Sequence, residues 1–220
     1  MITRLSAQIS GYIAANVGQP ENEDAVAYGS EIVIRSLIKI FIISIVSNIF
    51  GIFYETWTIV AFSALLRIFS GGVHCHTYTN CLFTSTLAFS LLGLLVRFVT
   101  PQLNFTMLAA FLVVSALLLF FICMLWIPAG SENRPLDEVG QKNKFKLYSL
   151  FIIFIHFFAS LTWLDSFHGP GPHAFLFASV TGLLWQGFTV TPWGYSLISR
   201  FDNLLNAIKG GVQSYVQENQ

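Results

Sequence analysis

Charged residues are scarce in this chain. Only 10% of its 220 residues are Asp, Glu, Lys or Arg, whereas 55% are hydrophobic. Soluble domains contain about 25% charged residues, so this composition excludes an ordinary soluble domain and indicates an integral membrane protein. The 11 basic and 11 acidic residues give a formal net charge of zero, so no excess of one sign indicates nucleic acid as a partner.

Cysteines are few, and no leader sequence is expected. Cys75, Cys81 and Cys123 are the three cysteines, and an odd, sparse set argues against a disulfide framework and suits a reducing, cytoplasm-facing site. The first 24 residues contain no apolar run followed by a cleavage site, so we expect no secretory signal peptide. The sequence has no internal repeat and no low-complexity tract.

Long apolar stretches fill most of the chain. A spanning helix needs about 20 mostly apolar residues. The second stretch, over about 57–69, reaches that length only if the Gly71-Gly72 region stays at membrane depth. We therefore predict an all-α, polytopic transmembrane bundle of about six spans. The six stretches run over approximately 32–53, 57–69, 81–99, 103–127, 147–164 and 174–190.

Amphipathic segments are predicted at both ends of the bundle. Thr3–Val17 and Ser196–Val216 have apolar residues at helical spacing but are too polar to span, which is typical of helices that lie in the interface. We predict one domain over residues 1–220. Its parts are an N-terminal amphipathic helix and connector (1–31), the transmembrane bundle (32–190) and a C-terminal amphipathic tail (191–220).

Basic residues predict the orientation, because cytoplasmic loops of membrane proteins are enriched in Lys and Arg. Arg67 lies in the second connector, the Pro128–Lys146 segment carries four basic residues, and Arg200 and Lys209 follow the sixth stretch. Arg97 alone falls on the other side. The pattern predicts that both termini face the cytoplasm.

The segment RIFSGGVHCHTYTNC, from Arg67 to Cys81, concentrates polar and reactive groups that are costly near a bilayer. His74 and Cys81 would be about 10 Å apart along one helix, whereas proton transfer needs about 2.6–3.2 Å between heavy atoms. Cooperation therefore requires a turn between them. Gly71-Gly72 and the Thr and Asn residues at 77–80 permit one.

A cap at Thr79 or Asn80 would place Cys81 in the first turn of the third span. A helix N-terminus and a nearby imidazolium both lower a thiol pKa, and a thiolate beside a histidine can attack a peptide carbonyl. The segment contains no Asp or Glu, so a third, orienting residue would come from elsewhere in the chain.

Other interpretations of the segment remain open on the residues alone. It is also compatible with a polar loop whose Cys and His only pack, or with a transporter whose histidines carry protons. His74, Cys75, His76 and Cys81 are zinc-ligand types, although the position of Cys75 between the two histidines does not fit the usual ligand spacing.

The pattern Arg67, Ser70-Gly71-Gly72, His74 and Cys81 resembles the accessory gene regulator B (AgrB) family of bacterial membrane peptidases. Two further elements, YGSEI and PAGSENRPL, resemble boxes that the family has before its first span and after its fourth. The resemblance covers roughly residues 1–190. The two elements occupy Tyr28–Ile32 and Pro128–Leu136.

The resemblance implies a membrane cysteine endopeptidase and cyclase in the bacterial cell membrane, with its catalytic residues on the cytoplasmic side. Cys81 would take the acyl group of an AgrD-like pro-peptide cut near its C-terminus, and His74 would serve as base and acid. A Cys or Ser of the peptide would then close a thiolactone or lactone ring. No metal and no other cofactor is implied.

Arg67, Gly71, Gly72 and Glu31 are the predicted supporting or substrate-binding residues. Arg67 would bind an acidic tail, orient the loop or anchor at the interface. Glu31 would orient His74, or simply stabilise a helix start; Cys75 is predicted to pack. The predicted partners are the pro-peptide, the lipid bilayer and a second copy of the chain, and the rival functions are a peptide exporter and a metal-binding membrane sensor.

Overall fold

The computed structural model describes residues 23–129, 139–167 and 169–218. This part of the chain is almost entirely α-helical and contains no β-strand, which confirms the predicted all-α class. A short 3-10 turn, Thr100–Gln102, follows the third helix. The helices are α1 (Glu23–Ile49), α2 (Phe53–Ser70), α3 (Tyr78–Val99), α4 (Phe105–Trp126), α5 (Val139–Ser166), α6 (Pro170–Thr189) and α7 (Pro192–Glu218).

The chain divides into two compact units, Met1–Val46 and Ser47–Gln220. The first contains most of α1, which begins earlier than the predicted span, so the YGSEI element lies within a helix. Glu31 and Arg35 form an ion pair one turn apart on this helix. The predicted Thr3–Val17 helix lies outside the described residues.

The number of spans matches the prediction only loosely. Four described helices are long and apolar enough to cross a membrane, and the bent pair α6–α7 makes a fifth if it counts as one span. The predicted second span, α2, is not among them. It has only 18 residues and carries the polar side chains Glu55, Thr56, Ser63, Arg67 and Ser70.

Helices α2 and α6 pack together at the centre of the second unit. Most of α6 is buried along its length, and a Cβ built at Gly182 would lie only 2.5 Å from the carbonyl oxygen of Ile59. Small residues allow helix backbones this close approach, and van der Waals packing then holds the helices together. Ile59 and Val180 are part of the apolar cluster that surrounds this crossing.

The outer helices expose apolar side chains. Val114 and Phe121 on α4, and Phe151 and Phe154 on α5, are all more than half exposed. Exposed apolar surface of this extent is typical of residues that face lipid. The polar residues of α2 are instead covered by protein, so α2 can be less apolar than the helices that expose apolar side chains.

The connection from α4 to α5 differs from the predicted loop. We expected a loop from Pro128 to Lys146, but α5 already begins at Val139, because lysines are compatible with a helix that extends beyond the apolar layer. The Lys146 ammonium donates a 2.8 Å hydrogen bond to the carbonyl of Met124. A cation there stabilises the C-terminus of α4.

Helix α7 turns away from α6 by 82°. The two helices are separated by Val190 and Thr191, and Gly194 allows the close return, because a Cβ there would lie 2.1 Å from the carbonyl oxygen of Phe188. A helical tail over Ser196–Val216 is therefore confirmed within a longer helix. Its predicted interfacial location stays a prediction.

We expect Gly182→Ala to destabilise the protein by about 1–3 kcal/mol, the usual cost of overpacking, because the added methyl group meets the α2 backbone. Gly140→Ala is the matched control, since a Cβ at this helical glycine has no atom within 4 Å. Thermal unfolding of both variants in detergent provides the measurement. Equal midpoints would show that the α2–α6 crossing does not require glycine.

Candidate functional site

The segment between α2 and α3 is a short turn rather than a continuation of either helix. Gly71 and Gly72 have φ angles of +70° and +135°, a region that side chains disfavour. The predicted cap at Thr79 or Asn80 is wrong, because the N-cap is Thr77, two to three residues earlier, and α3 begins at Tyr78.

Thr77 makes the better cap because its side chain can accept a hydrogen bond two to three residues ahead. Its hydroxyl accepts the N–H of Asn80 at 3.3 Å, and its carbonyl accepts the N–H of Cys81 at 3.0 Å. Cys81 therefore lies at the end of the first helical turn. Side chains on a helix tilt towards its N-terminus, which brings the thiol near the positive end of α3.

Gly71 joins the turn to the segment that follows α4. It forms a parallel bridge with Ala129, and the N–H of Ala129 donates to the carbonyl of Ser70 at 2.8 Å. A Cβ at Gly71 would lie 2.2 Å from the carbonyl oxygen of Ala129. Glycine is therefore required here by both its φ angle and the available space.

Gly72 lies against α6 and the side chain of Arg67. A Cβ at this position would lie 3.1 Å from Thr189 Oγ1 and 3.4 Å from Arg67 Nη1. The next residue, Val73, donates its N–H to the carbonyl of Thr189 at 3.4 Å. The turn is thus held against the end of α6 by backbone contacts.

Arg67 connects the turn, α6 and His74. Its Nη2 donates to the carbonyl of Val73 at 2.8 Å and lies 3.3 Å from His74 Nε2, while Nη1 lies 3.3 Å from Gln186 Oε1. Arginine has only donors, so Nε2 of His74 is the acceptor in this contact. The structure therefore brings Arg67 and His74 together.

Gln186 is a part of the site that the sequence did not single out. Its side chain is 0% exposed, and Nε2 donates to Ser70 Oγ at 2.9 Å and to the carbonyl of Gly71 at 2.7 Å. Together with its acceptor contact to Arg67, it satisfies polar groups from three residues. The available signal was a single amide in an otherwise apolar stretch.

The two cysteines of the segment are neighbours in space. Both are half-buried, and the Cys75 thiol, which lies beside Cys81, donates a hydrogen bond to Thr84 Oγ1 at 3.8 Å. The neighbouring Cys81 and burial both raise the pKa of the Cys75 thiol. Cys75 therefore stays protonated near neutral pH and acts as a donor, a contact that the packing interpretation did not include.

Asp202, on α7, accepts hydrogen bonds from the C-terminal end of the Arg67–Cys81 segment. It is 1% exposed, its Oδ2 accepts the backbone N–H of His76 at 2.9 Å, and its Oδ1 accepts the side-chain amide of Asn80 at 2.6 Å. Burial raises the pKa of this carboxyl, but the hydrogen bonds from His76 and Asn80 outweigh it and hold the pKa below its usual value.

The two histidines have different neighbours. His74 contacts Arg67, whereas the ring of His76 contacts Asp202. Within residues 23–129, 139–167 and 169–218, no group of three or more His, Cys, Asp or Glu side chains is arranged to hold a metal ion. Glu31 pairs with Arg35 on α1, and its predicted role towards His74 stays a prediction.

We expect Gln186→Leu to destabilise the protein by several kcal/mol, because each buried polar group left without a partner costs about 1–3 kcal/mol. Gln102→Leu is the control, since Gln102 is exposed and contacts one backbone carbonyl. Unfolding midpoints in detergent give the comparison. A Gln186→Leu variant as stable as the control would mean that water replaces the amide without cost.

Known proteins that are similar to this chain carry the name of the family that its motifs resemble. An AgrB-like protein of Clostridium perfringens strain SM101 is 25% identical over 214 residues, which cover 94% of this chain and 100% of that relative. A second one, from C. perfringens strain 13, is 23% identical over 213 residues with the same coverage. An AgrB-like protein of Clostridium beijerinckii is 31% identical over 171 residues, covering 75% of this chain and 79% of the relative.

No solved structure matches the chain. The sequence model of the family described as Accessory gene regulator B matches residues 6–190. That range includes the turn and helices α1 to α6, and it ends before α7. By this match the chain belongs to the accessory gene regulator B family.

Proposed function

We propose that this protein is a membrane-embedded cysteine endopeptidase and cyclase. It removes the C-terminal tail of an AgrD-like quorum-sensing pro-peptide through a thioester on Cys81, and a thiolactone or lactone signal precursor results. Family membership supports a role in processing such peptides. The observation that carries the chemistry is the turn that joins His74, held by Arg67, to Cys81 in the first turn of α3.

Two features favour a thiolate at Cys81. The thiol is near the N-terminal end of α3, where the helix dipole stabilises an anion. The guanidinium of Arg67 is close enough for its charge to act on Cys81, and nearby positive charge favours the ionised form of a cysteine.

His74 is the proposed general base and acid. In the structure its Nε2 accepts from Arg67, so Nε2 can receive the Cys81 proton only after the guanidinium moves. An acidic tail on the pro-peptide would pair with Arg67 and release His74 at the same time. The substrate would thereby activate the base that cleaves it.

The reaction follows from these roles. The Cys81 thiolate attacks the peptide carbonyl, the C–N bond breaks, and His74 returns its proton to the departing amine of the tail. The acyl group is then a thioester, which a Cys or Ser of the peptide attacks to close the ring and release Cys81. A thioester is higher in energy than a peptide bond, so tail removal or ring closure is needed to drive the first step forward.

The first expectation concerns tail release by purified protein in lipid. Cys81→Ala should abolish release, because no acyl acceptor remains. His74→Ala should slow release by about 10²-fold or more, the low end for lost acid–base catalysis. A fluorescent label on the tail provides the measurement.

Cys75→Ala is the matched control for the same assay. It removes one hydrogen-bond donor, which is worth about 1 kcal/mol, so we expect a change of less than about tenfold. If Cys75→Ala and a chelator were as damaging as Cys81→Ala, a metal site would explain the segment better. Full activity of Cys81→Ala would rule out Cys81 as the nucleophile, whereas no tail release by the wild-type protein would favour an exporter.

The second expectation concerns orientation, which we propose is N-in and C-in with the site on the cytoplasmic side. In a chain whose own cysteines are replaced by alanine, Thr79→Cys and Gln102→Cys introduce thiols at two exposed positions at opposite ends of α3 and its 3-10 extension. An impermeant maleimide should label only the second in intact cells and both after lysis. The reverse pattern would overturn the orientation.

A further inference from the structure

Helix α7 contacts the chain on both sides of Thr77, the N-cap residue of α3, which lies between His74 and Cys81. Asp202 accepts the backbone N–H of His76 at 2.9 Å and the side-chain amide of Asn80 at 2.6 Å. These two residues flank the N-cap Thr77. One buried carboxylate therefore links the last residues of the turn to the first turn of α3.

Two more side chains of α7 support the same contact. Asn80 is 1% exposed, its amide also donates to Asn206 Oδ1 at 2.8 Å, and its own oxygen accepts from the Lys209 ammonium. Asp202, Asn206 and Lys209 are spaced by four and three residues, so they lie on one face of the helix. This polar face of α7 is directed towards the start of α3.

We propose that Asp202 is a positioning residue for the cysteine peptidase, and that α7, which lies beyond the residues matched by the family, completes the site. The inference rests on the proposed function. Asp202 acts by fixing the turn that sets the separation of His74 and Cys81. It contacts neither of the two proposed catalytic groups in this role.

The turn is held at both of its ends, and Asp202 holds the second one. The first end is fixed by Arg67 and by the backbone contact of Val73 with Thr189. Without the carboxylate, His76 and Asn80 lose a shared acceptor, and the second end is released. A misplacement of about 1 Å can cost about 10²-fold in rate, while pro-peptide binding at Arg67 is unaffected.

The direct test is Asp202→Asn in the full-length protein in lipid. An amide at this position can accept from only one of the two donors, because its NH₂ group faces the other. We expect kcat for tail release to fall at least about tenfold with KM within about threefold of wild type, while the unfolding midpoint falls, because one buried donor loses its acceptor, but stays above the assay temperature. Asn203→Ala, an exposed neighbour on α7, is the control and should match wild type.

A second readout needs no substrate. Cys81 alkylation by iodoacetamide at pH 7, followed by peptide mass spectrometry, should slow by about threefold or more in Asp202→Asn, because release of the second end lets the Cys81 thiol move away from Arg67. Removal of a negative charge would by itself favour the thiolate and accelerate alkylation. The direction of the change therefore separates positioning from simple electrostatics.

A polarity swap provides the rescue. In Asn80→Asp/Asp202→Asn the new carboxylate accepts from the new amide and from Lys209, and the N–H of His76 still has an acceptor. Each single variant should have a lowered kcat for tail release, and the kcat of the double variant should recover to within about threefold of wild type. Such recovery would not follow if Asp202 acted through its charge at position 202.

Faster alkylation of Cys81, or loss of kcat only in proportion to the unfolded fraction, would overturn the positioning role. Failure of the double variant to recover would do the same. If the wild-type protein released no tail at all, the peptidase proposal would fall instead. The alkylation rates would still decide the role of Asp202 in that case.

Discussion

The site depends on the hydrogen bonds of the Arg67 guanidinium. The guanidinium joins α2, the turn and α6 through Val73, His74 and Gln186. A charge near the bilayer is costly unless it is paired or well hydrogen-bonded, and these acceptors provide such an environment. The same requirement explains why α2 and α6 are central rather than lipid-facing, since their polar side chains need partners that lipid cannot offer.

The helices were largely predictable because apolar periodicity and length are strong signals. All six apolar stretches and the tail became helices, with starts that moved by nine residues at α1 and by eight at α5. The span count was less predictable, because length and composition alone do not show whether a short helix with a polar face, such as α2, meets lipid or protein. The structure instead covers its polar face with α6, a tertiary effect that no local pattern encodes.

The site was predictable only where its residues are close in sequence. Arg67, His74 and Cys81 lie within 15 residues, and their types identify them. Gln186 and Asp202 join the same turn from 115 and 126 residues away. Contacts at such separations depend on how helices pack, so a single sequence gives no means of pairing these side chains with the turn.

The most direct test of the account is whether Cys81 carries the acyl group. Purified protein in lipid is mixed with a pro-peptide whose ring-forming Cys is replaced by Ala, so that the intermediate cannot cyclise. The account predicts that the protein gains the mass of the N-terminal fragment less one water, on the peptide that contains Cys81, and that neutral hydroxylamine removes it. Tail release without such an adduct, or an adduct on Cys75, would contradict it.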